Sequence, residues 1–257
     1  MVKKLRVLDL FSGAGMFSLG LERTGGFETV AFCEIDPYAR AVLRKHWPEV
    51  PIYDNVQTLT RNALESDGVT VDCITGGFPC QDLSIAGRKA GMGEGTRSGL
   101  FWEIDRLVGD LRPQFVILEN VANLLGGPSD QPGRWFGALL GALAQRGYDA
   151  EWQNIPASSV GAPHRRERVW VIAYPQREGW QRPITDTSIF SCSVAPFAVP
   201  FDGSIASWCR LAERSAPIRN SNGLSVSVER NRLKLAGNSL VPQIPEMIGR
   251  AILEAEQ

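Results

Sequence analysis

The side chains best suited to chemistry lie within nine residues, Gly76-Gly77-Phe78-Pro79-Cys80-Gln81-Asp82-Leu83-Ser84. A thiolate is a potent nucleophile, and Cys80 follows an apolar run, Val71-Asp72-Cys73-Ile74-Thr75, that reads as a short buried strand. Open α/β sheets place their reactive groups just past the ends of such strands. Pro79 fixes its own φ and biases Phe78 towards extended backbone, so the thiol is presented in a defined direction. An inert, buried cysteine is the commonest alternative. The glycines before Cys80 and the polar Gln81-Asp82 after it argue against full burial. On these residues alone the two readings are level.

A second cluster shifts the balance. Val7-Leu8-Asp9-Leu10-Phe11-Ser12-Gly13-Ala14-Gly15-Met16 reads as a strand running into a glycine turn, and Phe17-Ser18-Leu19-Gly20-Leu21-Glu22 continues as a helix. This strand–turn–helix brings bare backbone against a nucleotide-like ligand. Ser18 stands where the dinucleotide fingerprint has its third glycine, which disfavours a nicotinamide or flavin cofactor. A further strand, Thr29-Val30-Ala31-Phe32-Cys33, ends in Glu34-Ile35-Asp36, with Glu34 21 residues after Gly13. That is close to the spacing at which an acidic side chain accepts from ribose hydroxyls. A Gly-x-Gly alone is weak evidence; with the strand-end acid it is moderate.

Five blocks together resemble the DNA (cytosine-5)-methyltransferase family, compact bacterial or phage type. They are Asp9-Leu10-Phe11-Ser12-Gly13-Ala14-Gly15, Gly77-Phe78-Pro79-Cys80-Gln81, Glu119-Asn120-Val121, Arg166-Glu167-Arg168 and Gly237-Asn238-Ser239. All occur in the family's order, and the resemblance covers roughly residues 5–175 and 230–256. It implies a cytosine methyltransferase acting on double-stranded DNA with S-adenosyl-L-methionine as cofactor. Cys80 would add to carbon 6 of the base, making carbon 5 nucleophilic enough to take a methyl group from a sulfonium. Glu119 would offset the charge pushed into the ring near nitrogen 3, and Arg166 and Arg168 would hold the target base. On a strand those two arginines face the same side. For the cofactor, the resemblance implies Phe11, Gly13, Ala14, Gly15, Met16 and Phe78 around the methionine part and Glu34 on the ribose. Ile35 would lie against adenine and Asp54, followed by Asn55, would face its amino group. Leu100 would make an apolar contact, and Asn238 and Ser239 would reach the carboxylate. Base rates place Met16, Ile35 and Leu100 in a core instead. His164 stands where the family commonly has glutamine.

A duplex hides carbons 5 and 6, so the base must be extruded. Residues 81–99 are glycine-rich and resist regular structure; following the cysteine, they are placed to act as a lid. Gln81, Ser84, Arg88, Lys89 and Arg97 are the DNA contacts expected there. Arg177, Arg182, Arg210, Arg214 and Arg219 are candidate readers or phosphate contacts further on. Two rival readings are an RNA (tRNA) cytosine-5 methyltransferase and a catalytically silent DNA-binding homologue. Cys80, Glu119 and Arg166 together disfavour the silent one.

Bulk properties set wide limits. A chain of 257 residues with 44% hydrophobic and 21% charged content is ordinary for a globular protein. Net charge is −1, so overall charge does not advertise nucleic-acid binding. Residues 161–182 nevertheless hold five arginines against two glutamates, and residues 205–234 six basic groups against two acids. Five cysteines with no Cys-x-x-Cys pair argue against a disulfide framework, and two histidines give a zinc site little to work with. No metal, no membrane span and a reducing cytoplasm are the expectations.

The elements that position these residues follow a βαβ rhythm. Apolar runs at 5–10, 29–33, 71–75 and 115–118 alternate with helical patterns at 15–24, 37–46, 98–111 and 134–146. Two more strands are expected at Tyr148–Ile155 and Val169–Ala173. The fold class is α/β, a doubly wound, mostly parallel Rossmann-like sheet over residues 1–175. Residues 176–230, rich in Pro, Ser and Arg, read as a small irregular lobe for target recognition. Residues 231–257 return as a helix from Ser239 to Glu254, which the resemblance packs back on the catalytic domain. Only 68 residues separate Arg168 from Gly237. So small a lobe predicts a short or degenerate site of roughly two to four base pairs, with self-association or a partner protein to clamp DNA.

Overall fold

Val7, Leu8, Asp9 and Leu10 are all buried, as are Phe115 to Leu118. Runs buried on both faces are what a central parallel strand requires. In the computed structural model, which describes residues 3–78, 97–126, 133–162, 164–176, 235 and 239–256, these runs lie inside a seven-stranded sheet. The strands are β1 (Leu5–Leu10), β2 (Phe27–Cys33), β3 (Ile52–Tyr53), β4 (Cys73–Gly77), β5 (Phe115–Val121), β6 (Tyr148–Pro156) and β7 (Glu167–Pro175). The helices are α1 (Met16–Glu22), α2 (Pro37–His46), α3 (Arg61–Ser66), α4 (Phe101–Leu111), α5 (Arg134–Gln145) and α6 (Gln243–Ala255).

Strand order is β3-β2-β1-β4-β5-β7-β6. The pairs from β3 to β5 are parallel, and β7 runs antiparallel between β5 and β6. Alternate strand residues feed opposite faces. Leu8, Leu10, Val116 and Leu118 pack under α4 and α5 through Phe101, Ile104, Phe136 and Leu139. Val7, Phe115 and Ile117 pack on the other face with Phe17 and Leu21 of α1 and Ile244, Ile248 and Ile252 of α6. The fold is therefore the expected doubly wound, mostly parallel α/β sheet.

Most elements fall where the residue pattern predicts, with informative differences. β4 extends two residues further, through Gly76, paired to Leu10 of β1 and Leu118 of β5, and Gly77, paired to Glu119 of β5. It begins at Cys73, and the residue before it, Asp72, is tied by its side chain to Arg6 at 2.6 Å. β5 continues to Val121, so Glu119 lies inside a strand rather than at its end. β7 begins at Glu167 and is an interior strand, not an exposed edge. Two short elements, β3 and α3, are too brief for a periodic pattern to reveal.

The last helix begins at Gln243, later than Ser239, because Pro242 is its cap. Pro245 falls in its first turn, where a backbone N–H has no intrahelical partner to lose. This helix crosses α1 at very close range. A Cβ on Gly20 would meet the Pro242 carbonyl oxygen at 2.2 Å and the Pro245 ring at 2.7 Å. A Cβ on Gly249 would lie 3.0 Å from both Leu21 and Thr24. Gly20→Ala is therefore expected to destabilise the fold by about 1–3 kcal/mol by forcing the helices apart, despite alanine's better helix propensity. Urea denaturation checks this, and wild-type stability in the variant would contradict so close a crossing.

Candidate functional site

The turn after β1 is held in an unfavourable backbone conformation. Phe11 has φ 55° and Gly13 φ 54°. Left-handed backbone costs a non-glycine residue about 1–2 kcal/mol, and such strain gathers at functional sites. Hydrogen bonds secure the turn. The Ser12 hydroxyl donates to the Asp9 carbonyl at 2.5 Å, the Ser12 N–H to the Cys33 carbonyl, and the Gly15 N–H to the Ser12 carbonyl. The two glycines serve different needs. Nothing lies within 4 Å of where a Gly13 Cβ would be, whereas a Cβ on Gly15 would run into Trp47 at 2.7 Å and Leu43 at 3.0 Å. Ala14 is buried beneath the turn, while Met16, the first residue of α1, is half-buried.

The ends of β2 and β3 gather beside this turn. The Glu34 carboxylate accepts from the Gly13 N–H at 2.7 Å with one oxygen and from the Asp36 N–H at 2.8 Å with the other. The Glu34 N–H donates to the Tyr53 carbonyl, which draws the end of β3 alongside. Asp54 is exposed there, and the Asn55 side chain accepts from the Gln57 N–H. Ile35 is 73% exposed beside the buried Glu34. The base-rate placement of Ile35 in the core is therefore wrong; its apolar side chain stands in the open at the sheet's carboxyl edge. Leu100 packs at the margin of the core ahead of α4.

The register of β4 and β5 builds a second cluster. Gly77 is paired with Glu119, and a Cβ on Gly77 would lie 3.2 Å from the Glu119 carboxylate. Glu119 accepts from the Arg168 guanidinium at 2.9 Å, with 13% of its side chain exposed. Arg166 and Arg168 are half-buried, while Arg165 and Glu167 are exposed, so the expected same-face alternation is present. Burial pushes the Glu119 carboxyl above its ordinary pKa; the nearby Arg168 and then Arg166 pull it back without cancelling the rise. Burial, and then the like charge of Arg168, lower Arg166, against the attraction of Glu119.

Some expected residues are placed and others are not. Phe78 is buried against Phe101. The Ser239 hydroxyl donates to the Leu235 carbonyl at 2.7 Å. Arg97 opens a short 3-10 turn before α4. Cys80, Gln81, Ser84, Arg88, Lys89, Arg177, Arg182, Arg210, Arg214, Arg219 and Asn238 lie outside the described residues, as does all of the expected lobe at 176–230 except Gln176. Among the described residues no group of three or more His, Cys, Asp or Glu side chains is arranged to hold a metal. No helix among them is long and apolar enough to cross a membrane.

Three contributions escape a reading of the sequence. The Asn120 amide donates to the Phe78 carbonyl at 3.2 Å, anchoring the backbone two residues before Cys80. His164 accepts from the Arg166 N–H through Nδ1 at 3.4 Å. Asp9 is buried within β1, where it accepts hydroxyl hydrogen bonds from Ser18 and Thr75. Asn120 was visible as part of a motif; nothing in the spacing of the other two revealed their partners.

Against this geometry, residues 5–200 match the model of the C-5 cytosine-specific DNA methylase family. The chain belongs to that family. It is 34% identical over 197 residues to the type II methyltransferase M.Sau3AI of Staphylococcus aureus, covering 73% of this chain and 48% of that protein. It is 38% identical over 173 residues to M2.BsuMI of Bacillus subtilis, covering 66% and 42%. The chain thus spans about half the length of the curated relatives it matches. The solved Entamoeba histolytica methyltransferase EhMeth is similar in fold, with a TM-score of 0.66 and 99% of both chains covered at 13% identity.

The Glu119 environment makes a direct prediction. In the wild type the Glu119 carboxyl titrates above the ordinary glutamate range. In Arg168→Met the loss of the cation moves it higher still. Carbon-13 NMR titration of labelled glutamate checks both steps, and a wild-type Glu119 titrating at or below the ordinary range would show that the arginines outweigh burial.

Proposed function

We propose that this protein transfers a methyl group from S-adenosylmethionine to carbon 5 of a cytosine in double-stranded DNA, with Cys80 as the nucleophile. The convergence of the strained turn, the Glu34-Ile35 pair and the Glu119–Arg168 pair along one sheet edge carries this reading, in a chain of the cytosine-5 family. Open α/β sheets bind their ligands in a crevice of this kind, outside the carboxyl ends of the strands.

The residues present suit the cofactor. Each Glu34 oxygen uses one backbone donor and retains acceptor capacity for ribose hydroxyls. Exposed Ile35 offers an apolar face for adenine, and exposed Asp54 an acceptor for its amino group. The open space over Gly13 admits a ligand against bare backbone. Asn238 and Ser239 would take the methionine carboxylate. When bound, S-adenosylmethionine supplies an electrophilic methyl group on a sulfonium.

The chain's own groups would do the rest. The Cys80 thiolate adds to carbon 6, forming a carbon–sulfur bond and moving an electron pair towards carbon 5. Glu119, held by burial towards its protonated form, donates to ring nitrogen 3 as negative charge develops there. Once Glu119 has given up its proton, Arg168 and Arg166 compensate the carboxylate charge left beside the base. Once carbon 5 is methylated, its proton passes to water, the ring double bond re-forms as Cys80 departs as thiolate, and the proton on nitrogen 3 returns to Glu119. The base must first leave the duplex, at a cost of a few kcal/mol. Gln81, Ser84, Arg88, Lys89 and Arg97, with the arginines between 177 and 219, are the proposed DNA contacts.

Two outcomes test this function. Cys80→Ala abolishes methylation of cytosine in DNA while retaining cofactor and DNA binding. Duplex containing 5-fluorocytosine is trapped covalently by the wild type, because fluorine blocks the final elimination. Turnover by the alanine variant, or labelled methyl groups appearing on RNA alone, would overturn the assignment. Separately, Glu34→Ala weakens S-adenosylmethionine binding by roughly 1.5–3 kcal/mol, whereas Glu119→Ala lowers the chemical rate with little change in cofactor affinity. Calorimetry on both variants makes the distinction, and equal losses of affinity would refute it.

A further inference from the structure

A carboxylate to which no role with cofactor or base is assigned above lies in the middle of the sheet, on β1. Asp9 is 1% exposed, and burial pushes its pKa up to about 7 despite opposing hydrogen bonds from Ser18 and Thr75. Isolated charge in such a place is strongly disfavoured unless its lone pairs are satisfied. Here they are satisfied by groups from two different elements. Oδ2 accepts from the Ser18 hydroxyl of α1 at 2.8 Å, and Oδ1 from the Thr75 hydroxyl of β4 at 2.9 Å. Both donors are fully buried. Gly15, the N-cap of α1, has no side chain to cap the helix, and the Asp9 carboxylate reaches the first turn of α1 through the Ser18 hydroxyl.

The two tethered elements carry the two halves of the proposed reaction. Ser18 fixes the helix that begins at the cofactor turn. Thr75 lies two residues before Gly77, which faces Glu119, and five before Cys80. The β1–β4 ladder sets the register of the strands, but it does not orient α1 with respect to β4. Asp9 does so through directional bonds to both. We propose that Asp9 is a positioning residue that sets the spacing between the cofactor turn and the nucleophile strand. The inference rests on the methyl-transfer reading above. Reacting atoms must approach to about 3–3.5 Å, and a misplacement of about 1 Å can cost on the order of a hundredfold in rate.

The test uses the full chain carrying Ser18→Ala, Thr75→Val, Thr75→Ser or Asp9→Asn. Calorimetry without DNA reads cofactor affinity, single-turnover transfer at saturating cofactor reads the chemical step, and thermal melting reads the fold. Thr75→Val is expected to keep cofactor affinity within about twofold and to slow transfer by roughly tenfold or more, because the strand loses its tether. Thr75→Ser, which retains the hydroxyl, recovers most of that rate. Ser18→Ala is expected to weaken cofactor binding about fivefold, with transfer at saturation within about threefold of the wild type. Asp9→Asn loses on both readouts. Wild-type affinity and rate in Ser18→Ala and Thr75→Val would overturn the inference. So would losses in both readouts that merely follow the melting temperature, or a Thr75→Ser variant as slow as Thr75→Val. A wild type that binds the cofactor but methylates no cytosine defeats the functional reading instead. The affinity arm then decides alone, and unchanged binding in Ser18→Ala and Asp9→Asn overturns the positioning role. A wild type that binds no S-adenosylmethionine overturns both.

Discussion

The parallel pairing of β1 with β4 is the constraint on which the candidate site depends. These two strands lie side by side in the middle of the sheet, with Leu10 opposite Gly76. From β1 the chain leads to β2 and β3 on one side; from β4 it leads to β5 on the other. The connections therefore diverge, and a crevice opens between the two strand ends. Backbone pairing alone cannot create chemistry there, but it sets which loops face one another. The turn from Phe11 to Met16 closes one side of this crevice and Phe78 begins the other. A shift of one residue in that register would turn Asp9 away from Thr75.

The three acids around this pairing show how surroundings divide identical chemistry into separate tasks. Glu34 is met by two backbone N–H groups at a strand end. Glu119 is met by a guanidinium and by enough burial to raise its pKa. Asp9 is met by hydroxyls, and burial pushes its pKa up to about 7. On the proposed reading these become a cofactor ligand, a proton donor and a positioning group. Burial has opposite uses in the last two: it keeps a proton available at Glu119, and at Asp9 it makes every hydrogen bond directional and costly to lose.

Close packing supports the same arrangement from behind. Gly15 admits Trp47, and Gly20 with Gly249 lets α6 lie hard against α1. A segment from the end of the chain therefore buttresses the helix that follows the cofactor turn. The glycines of α1 and its cap serve packing as much as turn geometry, so a fingerprint read only for its ligand misses part of their purpose. Ser18 is a case in point. Its presence disfavoured a dinucleotide motif, and its hydroxyl serves the Asp9 carboxylate instead.

The residues alone determined the βαβ rhythm and the strand–turn–helix at Gly13 and Gly15, because each is a local pattern with a local cause; they also singled out Glu34 by its spacing, but its bond to the Gly13 N–H comes from the pairing of β1 with β2. The alternation of Arg166 and Arg168 was likewise readable from strand periodicity. Tertiary structure decided everything that depends on which strands are neighbours. Glu119 lies inside β5 because Gly77 and Trp170 flank it; β4 runs on through two glycines because β5 pairs with both of them. Ile35 is apolar yet exposed because it follows the last paired residue of β2, where the sheet offers nothing to cover it. The Asp9–Ser18–Thr75 bonds and the Asn120–Phe78 bond join residues up to 66 positions apart. No spacing rule links such residues, since their proximity is produced by the sheet and by nothing local in the chain.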